Sequence, residues 1–154
     1  MKKSFLIVII GMLSLGMSMN SCTSDDDANV DARDQYVGAW VIVSTGSINT
    51  LEDGSIIDTE TVNETESVNI SKSGENDLLI DGRLYFVNGS ALTSTPKIIP
   101  DDGTFAGFTS SQIITTTGVL SLDNFTLVND VTGTWTFNGR NGTYSGVVSE
   151  TLTK

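Results

Sequence analysis

Between residues 125 and 137 apolar and polar side chains alternate. Phe125, Leu127, Val131, Trp135 and Phe137 fall on one parity, and Thr126, Thr132, Thr134 and Thr136 on the other. Successive strand residues point to opposite faces, so this pattern predicts a strand with one buried face. Asn138-Gly139-Arg140-Asn141-Gly142 follows, with two Asn-Gly pairs. Both residues accept positive φ at low cost, which makes Asn-Gly a strong hairpin signal. A return strand then carries Tyr144, Val148 and Leu152 on one face, with Thr143, Ser145, Ser149, Thr151 and Thr153 opposite.

The rest of the chain beyond Tyr36 is rich in Thr, Ser, Val, Ile, Gly and Asn. Such residues favour strands and turns. No window shows a sustained 3.6-residue apolar period. Residues 37–47, apolar on both faces in their first half, predict a central strand, preceded by one helical turn within 28–36. Further strands are expected over 64–73, 77–81, 84–87 and 112–121, with Gly82-Arg83 as a tight turn. The run 91–99 contains Pro96, which marks an edge or a bulge. About eight strands joined by short turns predict an all-β, antiparallel up-and-down barrel. A two-sheet sandwich is the alternative, because both architectures alternate inward and outward residues.

The N-terminus predicts export. Lys2 and Lys3 precede an apolar run over residues 5–15. That run is too short for a span, which needs about 20 residues, and suits a signal peptide. It ends in Met19-Asn20-Ser21-Cys22, which resembles a bacterial lipobox. The resemblance implies cleavage before Cys22 and acylation of Cys22, the only Cys of the chain. Two or three acyl chains anchor stably to a membrane. Thr23-Ser24-Asp25-Asp26-Asp27 resembles the acidic surface-export tag of Bacteroidetes lipoproteins. It implies an export signal at Ser24, Asp25, Asp26 and Asp27 and an outer-membrane, cell-surface location, with the periplasmic leaflet as the alternative. The expected division is a signal peptide over 1–21, a lipidated acidic tether over 22–30 and a barrel over 31–154.

Charge and composition exclude several functions. The formal net charge is −11, and removing Lys2 and Lys3 leaves −13. Such acidity argues against nucleic acid, whose phosphates need clustered Lys and Arg. The chain has no His, so Ser-His and Cys-His catalysis and His-ligated metals are excluded. One Cys allows no internal disulfide. The acidic turns 52–54 and 101–103 lack the spacing of an EF-hand loop. No catalytic residue, metal ligand or cofactor is expected, and the chain is read as a non-enzyme.

Two Gly-x-Trp triplets remain, Gly38-Ala39-Trp40 and Gly133-Thr134-Trp135. The first, within Tyr36-Val37-Gly38-Ala39-Trp40-Val41-Ile42-Val43-Ser44, resembles the opening of lipocalin-like domains. The segment over 66–77 is similar to the second-strand region of small lipocalin-like (calycin-like) Bacteroidetes lipoproteins, mostly of unknown function. The resemblance implies a barrel plugged at one end by Trp40 and wide enough for one small ligand. Trp40, Tyr85, Trp135 and Tyr144 are then candidate ligand contacts, weighed against plain core packing. Phe105 and Phe108, in a Gly- and Ser-rich loop, are candidates for a rim contact or a lid. Glu150 shares the inward parity, as a polar ligand contact paired with Arg83 or Arg140. The preferred alternative is that the strand has left the core by Glu150. The expected function is binding of a small apolar or amphiphilic ligand, or a glycan fragment, without catalysis. The alternative is a structural adaptor for an outer-membrane protein complex.

Overall fold

A computed structural model describes residues 31–101, 106–121 and 123–154. The anchor and tag positions Cys22, Ser24, Asp25, Asp26 and Asp27, and the loop residue Phe105, lie outside the described residues. A single 3₁₀ turn, Asp34–Tyr36, leads into the strands. They are β1 (Gly38–Glu52), β2 (Ser55–Ser73), β3 (Asp77–Ile80), β4 (Arg83–Asn88), β5 (Ala91–Ser94), β6 (Lys97–Pro100), β7 (Phe108–Leu120), β8 (Asn124–Phe137) and β9 (Arg140–Thr153).

Each strand pairs antiparallel with its neighbours in the order β5-β4-β3-β2-β1-β9-β8-β7-β6. A further ladder, Ala91↔Val119 to Thr93↔Thr117, joins β5 to β7. It closes eight strands into a ring and leaves β6 outside, paired with β7. The hydrogen-bonded ring decides for the lipocalin-like barrel and against the sandwich.

Turn chemistry sets the registers. Asp53-Gly54, Asp81-Gly82 and Asn138-Gly139 each have positive φ at both positions, which matches the twist of the flanking strands. The β3–β4 turn is Asp81-Gly82, one residue earlier than expected. A one-residue shift reverses the facing of every side chain, and Arg83 thereby joins Tyr85 on the inward face of β4. β1 and β2 run further than expected, through a hairpin that spans residues 48–63. Its polar side chains hide the alternation because β2 is exposed along most of this stretch.

The expected strand over 91–99 is split. Ser94, Thr95 and Pro96 stand opposite only Thr115 and Thr116. Pro96 has no N–H to continue the ladder. The Arg83 guanidinium covers the break, with Nη2 donating to Thr95 O at 3.1 Å and to Ile114 O at 3.2 Å.

The two ends of the barrel differ. β3, β4 and β5 are short, so the ring encloses one end only. There Trp40 is 1% exposed and donates from Nε1 to Tyr36 O at 2.8 Å. Its ring lies 4.5 Å from that of Phe125, on which Tyr36 stands edge-on at 5.4 Å. Lys154 Nζ sits 5.2 Å from the Trp40 ring centroid. Ile70, Leu78, Leu92, Leu127 and Leu152 complete a dry core. Toward the other end six strands continue as an open curved sheet, with a gap between β2 and β6. Val41 and Val43 of β1 point outward and are each 39% exposed. The two apolar faces of β1 thus mark a strand paired on both edges, not one buried on both faces.

Trp40→Ala is expected to cost about 3–5 kcal/mol, read as a lower urea midpoint at unchanged slope. A Cβ on Gly146 would stand 2.3 Å from Ser47 O. Gly146→Val is therefore expected to destabilise by about 1–3 kcal/mol through overpacking, in the same assay.

Candidate functional site

Above the dry core, inward positions turn from apolar to polar. Ser44 of β1 lies opposite Glu150 of β9, and Thr116 of β7 opposite Asn129 of β8. Thr116 Oγ1 donates to Asn129 Oδ1 at 2.5 Å, and Asn129 Nδ2 donates to Glu150 Oε1 at 2.7 Å. Tyr85 interacts with both Thr116 and Arg83, whose guanidinium carbon is 5.7 Å from the Tyr85 ring centroid. A polar girdle thus crosses β1, β9, β8, β7 and β4 at one level.

The girdle faces a cavity of about 220 Å³. Ile42, Ile48, Ile80, Ile114, Val131 and Val148 form its apolar wall, and Arg83, Tyr85, Asn129 and Glu150 its polar wall. Exposed Glu66, Asp81 and Lys97 line it where the barrel wall is low. The short β3–β4 hairpin therefore makes the opening as well as the floor of the gap.

Burial pushes the Glu150 carboxyl above its ordinary range. The Asn129 hydrogen bond and the Arg83 charge pull it back, while the charges of Glu66 and Asp81 add to the rise. Burial likewise raises the Tyr85 phenol. Arg83 Nε is buried without a partner. Buried polar groups are ordinarily hydrogen-bonded, so this donor is an exception within the girdle.

A second concavity, of about 350 Å³, lies at the open end. Phe108, Trp135, Phe137 and Tyr144 line it, with Thr50, Ile57, Asp58 and Arg140. The Phe108 and Phe137 ring centroids are 6.2 Å apart. Trp135 is only 6% exposed and its Nε1 is buried without a partner. Burial pushes the Tyr144 phenol up, against a hydrogen bond with Ser110. Arg140 pairs with Glu52 at this end, its Nε donating to Oε1 at 2.6 Å.

The candidate residues therefore separate into three levels. Trp40 is part of the plug at the closed end. Tyr85 and Glu150 meet at the cavity. Phe108, Trp135 and Tyr144 meet at the open end. Glu150 has not left the core: β9 stays in the ring through Thr153, and the side chain turns inward. Arg83 shares its cavity, whereas Arg140 belongs to the opposite rim. The turn at residues 52–54 is the β1–β2 hairpin, and residues 102–105 lie outside the described ones. Asn129, Thr116 and Ser44 were not among the expected site residues, and Arg83 entered only as one of two partners for Glu150. Asn129 carried a signal, since it interrupts the apolar parity between Leu127 and Val131.

Comparison with protein families, with curated proteins and with solved structures gives no match. The functional assignment accordingly rests on the fold and this geometry.

Because Glu150 holds its proton more firmly folded than unfolded, its contribution to stability falls as pH rises from the unfolded carboxyl value through the raised folded one. Glu150→Gln removes that dependence. Urea denaturation between about pH 4 and about pH 7 is expected to shift the stability difference in favour of the variant as pH rises. A difference that stays constant with pH would show that burial does not raise this carboxyl.

Proposed function

We propose that this chain is an acyl-anchored, non-catalytic binding barrel that takes one small amphiphilic ligand in its interior cavity. The observation that carries the proposal is the cavity's division into an aliphatic wall and a partly unsatisfied polar girdle. Ligand sites combine mostly apolar lining with a few convergent polar groups. The cavity is lined by Ile and Val with a single aromatic, Tyr85, rather than by Trp and Phe. Its volume is below the roughly 300–1,000 Å³ of drug-sized sites, which favours a small ligand. The lipobox-like Cys22 supports a Bacteroidetes-type lipoprotein at the outer membrane, and the Ser24 to Asp27 tag supports the cell surface. The lack of His supports binding without catalysis.

Two further readings each have one observation in their favour. The aromatic concavity at the open end favours a glycan fragment, since rings offer stacking faces and Asp58 and Arg140 offer polar contacts. An adaptor role is favoured by β2, which pairs with β3 only at Ile70–Ser73 and presents exposed Ile56 and Ile57. An unpaired edge is a template for a partner strand.

Native mass spectrometry of the chain extracted gently from its own host's membranes tests the proposal. A reproducible added mass that disappears on denaturation is expected. Ile114→Trp, which fills the cavity, is expected to abolish that mass, whereas Phe108→Ser at the open end is expected to leave it. Loss of the mass in Phe108→Ser alone would move the site to the rim, and a bare wild-type mass would favour the adaptor.

A further inference from the structure

We infer that the interior ligand is a zwitterion, a small α-amino acid with an apolar side chain, its carboxylate on Arg83 and its ammonium on Glu150. This deepens, and rests on, the interior-cavity function proposed above.

Arg83 and Glu150, the charged members of the polar wall, share this cavity with exposed Glu66, Asp81 and Lys97 and do not pair with each other. Among the described residues Lys72 pairs with Asp34 and Arg140 with Glu52, both away from it. Arg83 is held from behind by the carbonyls of Thr95 and Ile114, both through Nη2, which leaves Nη1 outside these bonds. Glu150 is held from the side by Asn129 through one oxygen. Each is therefore oriented by the protein and left with capacity to spare. The two sense each other's charge across the cavity they line.

The chemistry selects among ligand classes. An apolar molecule would desolvate both charges with nothing in return. A simple carboxylate would leave Glu150 uncompensated, and a simple amine would leave Arg83 so. Burying an unpaired charge is costly, and truncating one half of such an arrangement strands the other. A molecule with both charges close together on one apolar body satisfies the two at once. The aliphatic wall, with Ile42, Val131 and Val148, suits a branched aliphatic side chain.

Charge placement points the same way. Beyond the signal peptide the chain has six basic residues among 19 acidic ones. Two of the six, Arg83 and Lys97, line this cavity. Glu66 and Asp81 line it beside Glu150, so the cavity presents both signs of charge, which is the pattern a zwitterion reads.

Isothermal titration of the full chain in detergent with leucine, 4-methylpentanoate and 3-methylbutylamine tests the inference. The last two compounds lack the ammonium and the carboxylate respectively. Leucine is expected to bind at least about tenfold more tightly than either. Glu150→Gln is expected to weaken leucine by at least about tenfold and to strengthen 4-methylpentanoate, since no carboxylate is then left uncompensated. Equal binding of either analogue would overturn the zwitterion while leaving the interior cavity as the site. No binding by any of the three would also overturn it, and the native-mass experiment then judges the cavity by itself. The three-compound comparison uses the wild-type chain, so a poorly folded variant does not spoil it.

Discussion

The pairing of β1 with β9 holds the rest of the molecule in place. Twelve residue pairs, from Val41↔Thr153 to Glu52↔Gly142, join the first strand to the last. Contacts so distant in sequence carry the largest loop-closure cost and form slowly. What they assemble explains why the ladder must be long. Lys154 is brought over Trp40, Ser44 is brought opposite Glu150, and Arg140 reaches Glu52 at the far rim. The close approach at Gly146, where a side chain would meet the β1 backbone, lets the two strands coil together.

That ladder separates two environments along one barrel. At the closed end Trp40, Phe125 and Tyr36 stack among fully buried Ile and Leu. One level higher a carboxyl, an amide, a hydroxyl and a guanidinium turn inward. Polar groups in a low-dielectric interior are tolerated when they satisfy each other, and are costly when they do not. Thr116, Asn129 and Glu150 meet that condition in a chain, while Arg83 meets it in part. The incomplete satisfaction sits beside the lowest part of the wall, where short β3, β4 and β5 leave access.

Much of this was legible locally. The 124–153 hairpin followed from two-residue alternation and an Asn-Gly turn, and Trp40 occupies the end position that a lipocalin-like opening implies. The Asp81-Gly82 turn was missed by one residue, and with it the inward facing of Arg83. The β2 arm was hidden because Thr, Glu and Asn occupy both of its faces, as they do on an edge with little to bury. Pro96 marked an edge or a bulge, and the β7 register revealed a split strand that continues beyond it as β6. Asn129 announced a polar interior by standing on an apolar parity. Glu150 did not, because proximity to a terminus and an inward parity make opposite suggestions.

The sequence by itself determined the strand period, the turns and the all-β class, because these depend on side-chain spacing and on φ preferences within a few residues. Tertiary structure alone decided that the sheet closes through β5 and β7. It also decided that Arg83 of β4 faces Glu150 of β9 across one cavity. Ring closure and the meeting of distant charges depend on strand register summed around the whole barrel. A register is a relation between segments, and no single segment contains it.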